Sequence, residues 1–130
     1  EAGTKRRVMK GMEECNWLHL ACHGIQEPDE PTKSALLLED GHLTLEEVIK
    51  LNLPRAEFAF LSACQTTTGD ENLSEEAVHI ADEFYKHVME EGKRPDSREA
   101  AEALHIAVQK LRQQPGIQLT DWIPFVHLGI

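Results

Sequence analysis

His23 and Cys64 are the two side chains whose types and placing point most directly to chemistry. Each follows an apolar run of the kind that forms a strand covered on both faces: Trp17-Leu18-His19-Leu20-Ala21-Cys22 before the histidine, Phe58-Ala59-Phe60-Leu61-Ser62-Ala63 before the cysteine. If the two strands are parallel neighbours, both side chains emerge at the carboxyl edge of a sheet, where open α/β folds place their sites. A thiol alone is a poor nucleophile at neutral pH, and a nearby imidazole can take its proton or stabilise the thiolate. Gly24 lets backbone beside the histidine approach a substrate without a side chain in the way. The backbone N–H groups of Gly24 and Cys64 could together hold the oxyanion of an attacked carbonyl.

Blander readings compete with this one. Free cysteine is often a small buried residue at a strand end, and a loop histidine can simply be hydrogen-bonded. Cys22 adjoins His23, but neighbouring strand residues alternate faces, so Cys22 reads as core. Cys22, His23, His42 and Cys64 can be assembled into a zinc set on paper, yet they lack close paired ligand spacing, and no metal site is expected. His19, His79, His87 and His105 fall within predicted elements and read as core-edge or surface residues. Asp70-Glu71 could select a basic side chain of a substrate; such a pair more often forms a solvated turn.

The elements that must position the pair belong to a chain of 130 residues, enough for one domain with a modest core. Hydrophobic residues at 41% and charged residues at 28% are ordinary for a soluble globular protein. No apolar run approaches the roughly 18 residues that span a bilayer, and no signal peptide is read at the N-terminus. A formal charge of −10 repels phosphate backbones, so nucleic acid is not an expected partner, and the short apolar runs give no reason to expect a membrane. The three cysteines, Cys15, Cys22 and Cys64, make no disulfide framework, which points to a reducing, cytoplasmic setting.

Along the chain, residues 5–15 read as a short basic helix and Trp17–Cys22 as a strand. A polar loop with Pro28 and Pro31 comes next. Ala35–Leu38 reads as a strand, with Asp40-Gly41 as a hairpin turn. Thr44 and Glu47 form a capping box opening a short helix whose buried stripe is Leu45, Val48 and Ile49. After the strand at residues 58–63 and a polar turn, Ser74 can cap a long helix buried along Ala77, Ala81, Phe84 and Val88 and stopped by Gly92. Asp96 or Ser97 caps another, with Ala101, Leu104, Val108 and Leu111 facing the core until Pro115. Trp122–Leu128 reads as a last strand, with Pro124 marking its start or an edge. Helices between apolar strands predict an α/β layered domain.

Two blocks make a specific resemblance. Trp17-Leu18-His19-Leu20-Ala21-Cys22-His23-Gly24 and Phe60-Leu61-Ser62-Ala63-Cys64-Gln65-Thr66 resemble the signature blocks of the CHAT domain family, a caspase-like group often attached to tetratricopeptide repeats. His23 and Gly24 match its His-Gly block and Cys64 its Ser-Ala-Cys block. Ser34–Leu38 with Asp40-Gly41, Ala81–Tyr85, the helix through Ala103-Leu104 and Trp122–Gly129 also resemble that family. The histidine-first order, with the pair 41 positions apart, is similar to that of caspases.

The resemblance implies a single caspase-like α/β/α domain over residues 1–130 with a mostly parallel sheet. It implies peptide-bond hydrolysis with Cys64 as nucleophile, His23 as proton shuttle and backbone N–H groups for the oxyanion. No metal or organic cofactor is implied, and the partners would be a protein or peptide substrate and tetratricopeptide-repeat segments of a longer parent chain. Two departures accompany it. The family's further strand upstream of the His-Gly block is expected to be missing. So are a helix and a Val-rich strand, because Glu75-Glu76-Ala77-Val78-His79 runs straight into Ile80-Ala81-Asp82. The domain is therefore expected to be incomplete. The rival expectations are an inactive CHAT-like module that binds other proteins, and a thiol redox sensor using Cys64.

Overall fold

The computed structural model describes residues 3–65, 75–90 and 92–129, and of residues 63–65 only the backbone. The chain forms two compact units, residues 1–73 and 74–130.

The first unit opens with helix α1 (Lys5–Glu14), followed by strand β1 (Trp17–Ile25). A 3-10 turn at Pro31–Lys33 leads into the hairpin β2 (Ala35–Leu38) and β3 (Gly41–Thr44). At Gly41 φ is +143°, a value that side chains rarely tolerate, so the glycine permits the tight return. Helix α2 (Leu45–Ile49) starts at the predicted capping box: Thr44 Oγ1 accepts from the Glu47 N–H at 3.2 Å, and Glu47 Oε2 accepts from the Thr44 N–H at 3.0 Å. Strand β4 (Phe58–Gln65) completes a four-stranded sheet in the order β3-β2-β1-β4.

The α/β class is as expected, but the sheet is mixed. β1 and β4 are parallel, as the site requires, while β1/β2 and β2/β3 are antiparallel. The expected mostly parallel sheet is thus met at one pairing. The short turn at Asp40-Gly41 can join only antiparallel strands, whereas β1 and β4 are joined through the hairpin and α2.

Burial corrects two further expectations. β1 and β4 are not covered on both faces, since His19, Ala21 and Ala59 are exposed and Leu61 is 59% exposed. The stripe assigned to α2 is not buried either: Ile49 is 71% exposed, Leu45 is exposed and Val48 half-buried. With five residues, α2 is held at its start by the capping box and by Lys5, whose Nζ lies 2.6 Å from Glu47 Oε1. Lys5 also donates its backbone N–H to Asp40 Oδ1 at 2.7 Å, tying α1 to the hairpin turn.

The second unit pairs helices α3 (Glu75–Val88) and α4 (Ala100–Arg112). The cap assigned to Ser74 lies outside the described residues, whereas Asp96 accepts from the Arg98 N–H to open the 3-10 turn that leads into α4. The buried line on α3 is Ala77, Ile80, Phe84 and Val88, and on α4 it is Ala100, Ala103, Ala107 and Leu111. The α4 line is rotated by one residue from the expected Ala101, Leu104, Val108 and Leu111. Both lines share one spacing, and alanines on α4 allow close approach to the bulkier residues of α3. Glu83 pairs with Lys110, and Gln114 Nε2 meets His79 Nδ1 at 3.2 Å, so the helices run antiparallel.

The expected strand at Trp122–Leu128 is absent; helix α5 (Leu119–Trp122) stands at its start, and residues 125–129 are neither helix nor strand. Gln118 and Asp121 cap α5, and the guanidinium of Arg112 sits 4.5 Å over the Trp122 ring, so the tryptophan is used by the helix. Pro124 has no N–H to donate to a ladder.

Candidate active site

Both site residues lie inside strands rather than after them. β1 runs on through His23 to Ile25, and β4 through Cys64 to Gln65. The parallel ladder extends that far, pairing His23 with Cys64 and Gly24 with Gln65. Neighbouring strands lie about 4.8 Å apart, so registered positions are direct neighbours.

The same register builds a row of stacked rungs leading to this pair. Trp17 meets Phe58 with ring centroids 4.8 Å apart, and His19 meets Phe60 at 5.0 Å. Both pairs occupy one face of the sheet. The next rung on that face, two residues on, is Ala21 with Ser62, and the one after is His23 with Cys64. Phe60 and Ser62 are both 8% exposed, which makes this stretch of β4 a firm base beneath the cysteine position. Partial burial lowers the pKa of His19, favouring its neutral form. These rungs were not singled out from sequence; the alternation of Trp17, His19, Ala21 and His23 is the signal that could have found them.

His23 is half-buried in the interior strand β1, between Cys64 on one side and Leu37 of β2 on the other. Its Nδ1 is buried and has no hydrogen-bond partner among the described residues. A buried unpaired ring nitrogen costs about 1–3 kcal/mol, so the position favours whatever group can complete the bond. The side chain of Cys64 lies outside the described residues. So do Asp70 and Glu71.

Cys22 takes the alternate position, on the face opposite His23, and burial pushes its thiol pKa up, towards the inert form. His42 is exposed and registers with Leu37, two strands from His23. Among the described residues no three metal-capable side chains converge. Gly24 lies between Leu36 and Gln65 in the ladder, one residue from the end of β1. An N–H in an interior strand points toward a neighbouring strand, so the Gly24 N–H can serve an oxyanion only where the ladder leaves it unpaired.

The mixed sheet and its helices make an α/β fold compatible with a caspase-like domain. The sequence model of the CHAT domain matches residues 1–84, more than half of the chain, and the chain belongs to that family. The family is caspase-like and peptidase-related. Searches of curated proteins and of solved structures gave no significant match.

Proposed function

We propose that this chain carries the reaction centre of a cysteine peptidase, with Cys64 as nucleophile and His23 as its base. The observation that supports the reading is the register of His23 on Cys64 across the parallel ladder. In it the Cys64 thiolate attacks the peptide carbonyl, and backbone N–H groups of Gly24 and Cys64 stabilise the oxyanion. His23 then returns the proton to the leaving amine. The unpaired Nδ1 of His23 supports this reading, because a thiol or a substrate group would complete its bonding. The substrate is a protein or peptide and no cofactor is invoked. The setting is the cytoplasm, with the domain serving as an effector joined to tetratricopeptide-repeat segments of a longer chain.

The test is labelling by a peptide acyloxymethyl ketone, which needs an assembled dyad. Labelling at Cys64 that falls by at least about 100-fold in His23→Ala, with the fold retained, is the expected result. Equal labelling of Cys15 or Cys22 would sink it. A second reading, an inactive module that binds other proteins, is favoured by the sheet having, among the described residues, no strand beyond β4, beside which the family's missing strand would lie. It expects no labelling of the folded chain, and recovery on reinserting a family-like helix and strand between His79 and Ile80.

A further inference from the structure

Helix α1 carries its charges against its own dipole. Lys5, Arg6 and Arg7 fill its first turn with no acid among them, and Glu13 and Glu14 close its last turn with no base. The N-terminal end of a helix favours anions and the C-terminal end cations, so each of these charges sits at the end that disfavours it. Gly11, in the helix interior, also lowers helix propensity, although its φ is not positive and a Cβ there would meet nothing within 4 Å. Local rules broken together in this way, with no packing gained, mark functional surfaces more often than structural ones. Arg6, Arg7 and Lys10 are exposed and, with Gly11, Glu14 and Asp40, line a cleft of about 700 Å³. Its two carboxylates are already engaged: Asp40 Oδ1 accepts the Lys5 N–H at 2.7 Å, and Glu14 lies 3.7 Å from Lys10 Nζ. Lys5 pairs with Glu47, whereas Arg6 and Arg7 have no ion-pair partner among the described residues.

We propose that this cleft binds a small organic phosphate, a phosphate monoester whose two negative charges are met by Arg6 and Arg7 with Lys10 in support. A guanidinium donates two parallel N–H bonds to phosphate oxygens, and two unpaired guanidiniums match a dianion better than a single carboxylate. The volume suits a ligand of nucleotide size rather than a lone ion. A long polyanion is disfavoured, because the formal charge of −10 repels any phosphates reaching beyond the cleft. Bound phosphate also neutralises the arginines at the end of α1 where an anion is favoured, so binding should firm the helix. Neither His23 nor Cys64 takes part, and no activity is needed to observe the binding.

Titration of the 130-residue chain with adenosine monophosphate, followed by its amide resonances, tests this. Saturable shifts are expected at residues 4–14 and at Asp40, with none from adenosine, and the affinity should fall as salt rises. Arg6→Gln with Arg7→Gln should weaken binding at least about tenfold, while Arg55→Gln, at an exposed arginine outside the cleft, should not. A second double variant separates binding from folding. Arg6→Glu with Arg7→Glu suits the dipole, so the free chain should melt no lower than the unmodified one, yet adenosine monophosphate should no longer raise its melting temperature. No saturable shift, equal shifts with adenosine, or binding that survives the arginine changes overturns the proposal. So does a preference for a single-stranded oligonucleotide or for phosphatidic acid vesicles over adenosine monophosphate.

Discussion

The two units of this protein bury their residues for different ends. Among the described residues, unit 74–130 holds eight of the twelve buried hydrophobic residues in fewer than half the positions, on two helix stripes of matched spacing. Unit 1–73 holds four, Met12, Ala35, Leu43 and Phe60, and leaves Leu61 and Ile49 exposed. Yet the first unit carries His23 and Cys64, and the family match covers all of it and ends inside α3. The helix pair is organised around its packing, the sheet around the register of one pair of strands.

That contrast can be broken by substitution. Phe84→Ala should cost about 3–5 kcal/mol, because Phe84 is fully buried in the helix pair, whereas Leu61→Ala should stay within about 0.5 kcal/mol in dilute solution. Urea unfolding followed by circular dichroism reads both, and similar losses would erase the distinction. Ala103→Leu asks whether the alanine line sets helix spacing. Overpacking at this fully buried position should cost about 1–3 kcal/mol, and a neutral result would mean the helices have slack.

A smaller effect belongs to the sheet. Thr44→Ala removes half of the capping box that starts α2 and should cost about 1 kcal/mol in thermal melts. The smallest is a pH effect. The hydrogen bond from Lys5, helped by the Thr44 N–H, draws the Glu47 carboxyl from its usual 4.5 down to about 2. Because the folded value lies below the unfolded one, the stabilisation is complete above about pH 4.5 and is lost as pH falls through about 2. Glu47→Gln should therefore lower the melting temperature slightly at neutral pH and flatten its fall across that window. Asp96, held to about 2 chiefly by Arg98, loses its contribution over the same acid range in the other unit, so acid titration of the unmodified chain does not separate the two.

Local chemistry was legible in the sequence; pairing was not. The Thr44–Glu47 box, the Asp40-Gly41 turn, the Asp96 cap and the basic helix α1 each rest on a few adjacent residues, and each is present. β1 and β4 run longer than their apolar runs imply, because the ladder between them, rather than their own composition, carries them through His23 and Cys64. Trp122–Leu128 reads as a strand by its apolar residues, but a strand needs a neighbour and Trp122 is held by Arg112. On α4 the larger Leu104 and Val108 drew the stripe one residue away from the alanines, where close helix approach buries small side chains. For the site, residue types and their place near the ends of two apolar runs could be read, while the mixed sheet and the Trp17–Phe58 and His19–Phe60 rungs needed the register.

The parallel ladder also sets when the site comes into being. The hairpin and α2 close over short stretches of chain, but His23 and Cys64 are 41 positions apart and meet only once β4 docks on β1. Contacts between distant positions carry the larger loop-closure entropy and form late. In pulse-labelling by amide exchange during refolding, protection in β4 should lag protection in the β2–β3 hairpin. A partly folded or freshly synthesised chain would then hold the backbone positions of His23 and Cys64 apart until the sheet is ordered.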